Sequence, residues 1–291
     1  VNEGDSKLTI SPLRDRHTVL LAAGLAASTV LAGGGYLARV GNVGPARSAT
    51  SFGSILVDIG LIGLCLAWLR LGTHVRRGGL DSRGLTRTAL LWAAPLVIAP
   101  AMFSHDLHSY AAQGTLVLAG LNPYHHGPAD LGFASHLARS VDPVWRHSTV
   151  PYGPFVLALS TIIVWLVQPL GATALVVALR LPAIVGLGLV TRAIPRLARA
   201  HGVSPTLALW LTVLNPLALI HLVGGGHNDA LMLGLLLTGL ALETEDQPMA
   251  ALVCCALAGM VKAPALAGAG YVMLAHVRAA PAGRARVAAA L

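Results

Sequence analysis

Charge is what this sequence has least of. Only 11% of its 291 residues are Asp, Glu, Lys or Arg and 55% are apolar, against about 25% charged in an ordinary soluble domain. A water-soluble globule is excluded. Cysteine is nearly as scarce. Cys65, Cys254 and Cys255 all lie inside apolar runs, and adjacent cysteines seldom close an unstrained disulfide, so no disulfide framework is expected. The histidines show no HxxxH or HExxH spacing that would hold them on one helical face, and neither a metal nor another cofactor is expected. The formal net charge is +8, which in a soluble chain would prompt a search for nucleic acid. Here the basic residues gather in short clusters between apolar runs, the pattern of cytoplasmic loops in a multispan membrane protein. Membrane lipid is the expected surrounding, and nucleic acid is not an expected partner.

What is present is a succession of apolar runs. The first, residues 18–37, follows Lys7, Arg14 and Arg16 and is too long for a signal-peptide core of about 7–15 residues. It reads as a retained helix with a cytoplasmic N-terminus. A second run covers residues 52–69, after which Arg70, Arg76, Arg77, Arg83 and Arg87 face one carboxylate, Asp81. That loop is expected to be cytoplasmic. The third run, 88–103, then leads outward and delivers the polar stretch 104–150 to the external face.

Six further runs follow, at 154–167, 172–191, 207–222, 230–242, 250–261 and 263–277. Several are shorter than the roughly 20 residues that a perpendicular helix needs to cross a bilayer. If each one crossed fully, Arg192, Arg196 and Arg199 would lie outside. The positive-inside rule is kept if residues 154–179 enter and return through the break Gln168-Pro169-Leu170-Gly171, leaving Arg180 near the external surface and 181–198 running inward. The segment 224–229 then returns outside, and a fold back at Lys262-Ala263-Pro264 leaves Arg278, Arg284 and Arg286 cytoplasmic. The fold class expected is all-α: one polytopic membrane domain over residues 1–291 with eight or nine apolar segments and a large external loop carrying surface helices. Residues 286–291 open what reads as another helix, so truncation at the C-terminus is expected.

With so few carboxylates, each can be weighed. Asp58 lies within the second run, where an ionisable group is costly and a functional reading is the default, although a buried pairing is about as good an account. On the external side in this topology lie Asp106, Asp130, Asp142 and Asp229. From Ser104 onward the chain reads as a surface-lying amphipathic helix, with Asp106, Ser109, Tyr110 and Gln113 on one arc. Asp106 there suits a general base, and Ser104 or Asp106 suits an N-cap equally well. Six of the twelve histidines lie between His105 and His147, and Tyr110, Tyr124, Trp145 and Tyr152 lie in or beside the same loop. Aromatic faces and planar donors suit a sugar, as they also suit an interfacial aromatic belt. In Gly224-Gly225-Gly226-His227-Asn228-Asp229, Asn228 or Asp229 capping the next helix outweighs direct catalysis. Lys262, one of two lysines, suits a phosphate at the interface or snorkelling to a headgroup.

At these motifs the chain resembles the polyprenol-phosphomannose-dependent α-(1→6)-mannopyranosyltransferases that build lipomannan, a family of GT-C membrane glycosyltransferases. The resemblance rests on Ser104-His105-Asp106-Leu107-His108-Ser109-Tyr110-Ala111-Ala112-Gln113-Gly114, Gly120-Leu121-Asn122-Pro123-Tyr124, Val141-Asp142-Pro143 with Trp145-Arg146, Pro151-Tyr152-Gly153-Pro154, and Asn215-Pro216 with Gly226-His227-Asn228-Asp229. It implies a GT-C-like bundle with an external active site, and Asp106 as the catalytic base of an inverting transfer from polyprenyl-phosphomannose to a lipid-linked mannan. On this reading Tyr110, Gln113, Asn122, Tyr124, Trp145, Arg146, Tyr152, His227, Asn228 and Asp229 form the substrate site. Arg180 and Lys262, with Arg146, are the candidates to meet the lipid phosphate. Glucose or arabinose transfer from another polyprenyl phosphate, and a transporter or lipid flippase, are the alternatives carried forward.

Overall fold

The computed structural model describes residues 11–41, 52–132 and 135–279. Among them the secondary structure is helical. In chain order the helices are α1 (Ser11–Gly41), α2 (Phe52–Arg76), α3 (Ser82–Ile98), α4 (Asp106–Leu118), α5 (His136–Ser140), α6 (Pro154–Val167) and α7 (Ala172–Ala178). After these come α8 (Leu181–Ala200), α9 (Pro205–Thr212), α10 (Pro216–Ala218), α11 (Asp229–Glu243), α12 (Pro248–Val261) and α13 (Leu266–Ala279). The sequence places their starts. Proline occupies the first turn of α6, α8, α9, α10 and α12, where its missing N–H costs nothing. Asp81 and Ser204 cap α3 and α9 through their side chains, satisfying N–H groups that have no partner within the helix.

Among the described residues three stretches are long and apolar enough to cross a membrane: Arg16–Ala38, Phe52–Arg76 and Ala172–Ala200. A fourth forms if Pro205–Thr212 and Pro216–Gly224 count as one span bent by 49°. That bend sits at the expected Asn215-Pro216 kink. Asn215 caps the short helix after it, and residues Leu219–Gly224 continue as a π-helix, a form common where the regular ladder is disturbed. The chain is thus an all-α polytopic membrane protein. Arg284, Arg286 and the expected terminal helix start at 286–291 lie outside the described residues.

The chain divides into two compact units. The first holds residues 11–41, 52–102 and 203–224 of the described set. In it the Trp68 and Trp210 rings stack with centroids 4.8 Å apart, and each indole N–H donates to the other residue's carbonyl at 2.9 Å. Asp58 is exposed on α2, so the buried pairing weighed for it does not occur.

The second unit holds residues 103–202 and 225–279. Its helices α8 and α11 pack backbone to backbone, because Gly186 and Gly234 face each other and a Cβ on either would enter the other helix. Arg196 of α8 forms a two-pronged ion pair with Glu245, just past α11. At Lys262 the chain folds back as expected. Val272 of α13 packs on Ala251 and Cys255 of α12, and Gly268 also faces Cys255. Two expectations need correction. Helix α7 runs on into α8 as one 29-residue apolar stretch, so the return limb does not end at Arg180. Nor does α4 lie on the surface: Leu107, Tyr110, Ala111, Ala112, Gln113, Gly114 and Leu116 are buried, and α4 packs against α6 near Ser160 and Val164. Its polar arc faces the polar segment 226–229, where Asp106 meets His227 and Tyr110 meets Asn228, and a pocket that Asp106, Ser109 and Gln113 line.

Candidate active site

Asp106 is the first residue of α4 and Asp229 the first of α11. Both carboxylates therefore sit where a helix N-terminus favours negative charge. Neither side chain caps its helix. Ser104 Oγ accepts from the Asp106 backbone N–H at 3.0 Å, and the N-cap residues His105 and Asn228 make no side-chain capping bond. The capping alternatives for Asp106 and Asp229 thus give way to other partners.

Asp106 Oδ2 lies 2.9 Å from His227 Nδ1 and accepts from the Tyr110 hydroxyl at 3.3 Å. That hydroxyl in turn accepts from the Asn228 backbone N–H at 3.3 Å. Burial pushes the Asp106 carboxyl up, but hydrogen bonds from His227, Ser104 and Tyr110, with the His227 charge, outweigh it and hold the pKa below the usual carboxylate value. The Asp106 hydrogen bond raises His227 against the opposing effect of burial. Tyr110 is buried and its phenol is pushed well above its ordinary value, first by burial and then by the charges nearby. It stays neutral and donates.

Tyr152 stands edge-on to Tyr110, with centroids 5.3 Å apart and planes at 78°, and burial with the Asp106 charge pushes its phenol up to about 12. Behind it the core of Val156, Leu231 and Val261 joins α6, α11 and α12. Gly153 makes this approach possible. Its N–H donates to Val261 O at 3.0 Å, and a Cβ there would collide with the Met260 carbonyl. Across the Tyr152 ring, Lys262 Nζ lies 5.9 Å from the centroid and donates to both Asp229 oxygens at 2.9 and 3.1 Å.

A pocket of about 260 Å³ opens beside this group. Asp106, Gln113, Trp145 and Tyr152 form part of its wall, with the hydroxyls of Ser109, Ser148 and Thr149 and the rings of Pro128 and Pro151. The structure therefore brings together Asp106, Tyr110, Gln113, Trp145, Tyr152, His227, Asn228, Asp229 and Lys262. Asn122, Tyr124 and Arg146 are engaged elsewhere in the loop. Asn122 Oδ1 accepts from Tyr124 N at 3.0 Å, Tyr124 donates to the Tyr152 carbonyl at 3.0 Å, and the Arg146 guanidinium donates to the Val141 and Arg139 carbonyls at 2.9 and 2.7 Å. None of the three lines the pocket. Arg180 is fully buried, its side chain against Gly226, and not at the surface where the sequence reading puts it. Ser148 and Thr149 are pocket residues that the sequence reading does not single out, and Ser104, an N-cap candidate there, also bonds to Asp106. Ser104 had a signal in its position two residues before Asp106, while nothing in the spacing of Ser148 and Thr149 marks them. Among the described residues no three His, Cys, Asp or Glu side chains are grouped to hold a metal ion.

The structure is thus a helical membrane protein with a half-buried, hydrogen-bonded carboxylate beside a small polar and aromatic pocket. The chain belongs to the α-(1→6)-mannopyranosyltransferase family: the model of that family's N-terminal domain matches residues 17–278. It is 40% identical over 228 residues to α-(1→6)-mannopyranosyltransferase A of Mycobacterium tuberculosis, covering 77% of this chain and 44% of that protein. It is 35% identical over 250 residues to α-(1→6)-mannopyranosyltransferase B of Corynebacterium glutamicum, covering 78% and 41%. The chain spans less than half the length of these curated relatives. No solved structure matches it significantly.

Proposed function

We propose that the protein transfers mannose from polyprenyl-phosphomannose to a growing α-(1→6)-mannan on a lipid carrier, with inversion at the anomeric carbon, and that residues 104–150 form the catalytic segment of its membrane domain. The observation that carries the reading is the Asp106 carboxylate, held ionised by three side-chain partners and forming part of a pocket wall. An acceptor hydroxyl attacks the anomeric carbon, the bond from that carbon to the phosphate oxygen breaks, and the phosphate leaves with the electron pair. Asp106 takes the hydroxyl proton. The phosphate is a good leaving group without protonation, so one carboxylate suffices where glycoside hydrolysis uses two.

Lys262 commits two ammonium N–H groups to Asp229, and its third is placed here on the departing phosphate, which gains a negative charge as it leaves. The active site is assigned to the external face of the cell membrane. Two features support that side. The arginine-rich loop after α2 is expected inside, and α11 separates Asp229 at its start from the Arg196–Glu245 pair just past its end by about 1.5 Å per residue, most of a hydrocarbon core.

The test is transfer to an α-(1→6)-mannan acceptor in proteoliposomes free of any mannosyl-phosphate synthase, comparing purified polyprenyl-phosphomannose with GDP-mannose. Transfer from the lipid donor is expected. Efficient use of GDP-mannose alone would overturn the donor and the external placement together.

A further inference from the structure

Tyr152 adjoins both the pocket beside Asp106 and the ammonium of Lys262. Tyr152 contributes to the pocket wall and also carries Lys262 over its face, while neither Lys262 nor Asp229 lines the pocket. We propose that this pocket is the acceptor subsite and takes one terminal residue of a neutral mannoside, while the anionic donor approaches from the Lys262 side. This inference rests on the transferase reading above.

The pocket's chemistry separates the two substrates. Its one carboxylate is Asp106, which the surrounding bonds keep anionic. A phosphate there would meet like charge with no cation in the wall, because the nearby His227 does not line the pocket and is already paired with Asp106. Arg146 keeps its charge but is not part of the wall, its guanidinium being turned to the Val141 and Arg139 carbonyls. A sugar meets suitable partners instead. Gln113 offers an amide donor and acceptor, and Ser109, Ser148 and Thr149 offer hydroxyls. Trp145 is 58% exposed, held in a short 3-10 turn whose start Asp142 caps by accepting from Val144 N at 3.0 Å, and it presents an indole face for the C–H side of a pyranose. The volume of about 260 Å³ is just under the ~300 Å³ at which drug-sized sites begin, a size for one ring and not for an extended chain.

Position agrees with chemistry. A general base must come within hydrogen-bond reach of the hydroxyl it deprotonates, so the acceptor has to be the substrate that contacts the wall containing Asp106. The donor's anomeric carbon then lies between that hydroxyl and the phosphate, across Tyr152 toward Lys262.

The test is calorimetric binding to the full chain in nanodiscs, which needs no turnover, with two probes: a neutral alkyl α-(1→6)-dimannoside and a short-chain polyprenyl phosphate. Trp145→Ala, at a largely exposed side chain, is expected to weaken the dimannoside by about tenfold, the scale of one lost stacking contact, and to leave polyprenyl phosphate within about twofold. Trp145→Phe is expected to restore most of the affinity, and Lys262→Ala to show the reverse selectivity. Failure of the dimannoside to bind the unaltered protein, or loss of the phosphate probe and not the dimannoside in Trp145→Ala, overturns the assignment. Binding that follows the expected pattern without any mannosyl transfer would instead overturn the reaction proposed above and leave the subsite standing.

Discussion

His227 Nδ1 and Asp106 Oδ2 stand 2.9 Å apart, joining the loop before α11 to the first turn of α4. The contact gives the carboxylate a fixed orientation, because Tyr110 bonds the same oxygen and also receives the Asn228 N–H. Oδ2 is thereby held from two sides, which fixes the plane of the carboxylate beside the pocket. His227, placed among the substrate contacts from sequence, acts on this geometry as the positioning partner of Asp106.

Replacing Asp106 by Asn keeps its volume and removes its basicity. Its side chain does not cap α4, so the helix start survives. Mannosyl transfer is expected to fall by about 10²–10⁴, the usual contribution of a general base, with expression retained and the melting temperature lowered only by the loss of the charge pair with His227, about 2–4 °C. Near-normal turnover in the Asn variant would remove Asp106 from the reaction.

The same pair makes stability depend on pH. The raised pKa of His227 contributes stability that is fully present below its ordinary 6.5 and is lost as pH rises through the raised value. The lowered pKa of Asp106 contributes stability present above its ordinary 3.8 and lost as pH falls through the lowered value. Both contributions are whole between pH 3.8 and 6.5. Comparing the melting temperature of the protein with that of His227→Gln across pH should show a difference of about 2–4 °C in this window, closing at alkaline pH. A difference that does not vary with pH would mean that His227 contributes packing and not charge.

Much of this was legible in the sequence for physical reasons. Low charge and long apolar runs leave only helices in a membrane, and Asp106, Tyr110 and Gln113 share an arc because helical period puts them there. Two things were not legible. Periodicity identifies a polar arc but not whether it faces water or a second polar segment, which is why α4 reads as a surface helix and is instead buried. A cation's residue type likewise does not reveal its partner. Arg146 binds carbonyls five and seven residues back in its own loop, in an irregular turn with no helical or strand period to read, and Arg180 is enclosed beneath Gly226, a long-range contact that no local spacing announces.

Gly153 controls how closely Tyr152 approaches the end of α12. A methyl group at this position would strike the Met260 carbonyl, backbone that cannot rotate away, and would break the bond from Gly153 N to Val261 O. Gly153→Ala is expected to lose about 1–3 kcal/mol of stability as an overpacked site and to move Tyr152 away from Lys262. Proteolysis of the 104–150 segment in the folded protein would report the loosened loop. An unchanged digestion pattern and melting temperature would show that α6 and α12 can part without cost.

Side of the membrane is open to direct chemical labelling. In a background lacking Cys65, Cys254 and Cys255, a single cysteine replacing the exposed His125 in the loop after α4 should react with an impermeant thiol reagent added to intact cells, whereas one replacing the exposed Arg77 should react only after permeabilisation. The reverse pattern would place Asp106 on the cytoplasmic face, where nucleotide sugars are found, and would remove the case for a lipid-linked donor.

Lys262 is neutralised at rest by Asp229, both side chains being 35% exposed, so its value to the reaction lies in the change of charge during transfer. In the proposed transfer the donor phosphate carries one negative charge as a diester and approaches two when released, while Asp106 becomes neutral by taking a proton. The site total is conserved, but negative charge moves from Asp106 to the phosphate, toward Lys262. Lys262→Ala should therefore raise the donor's apparent KM or slow the departure of the phosphate, by about tenfold for one charge-assisted hydrogen bond, with the acceptor KM unchanged. Lys262→Arg should be milder because the charge remains, though a planar guanidinium replaces a point charge beside Tyr152. Asp229→Asn separates the two functions of the pair. It frees Lys262 for the phosphate and should tighten polyprenyl phosphate while leaving dimannoside binding alone. If Asp229→Asn weakens the phosphate as much as Lys262→Ala does, the pair acts as a structural clip at the end of α12, and the phosphate is held by other groups.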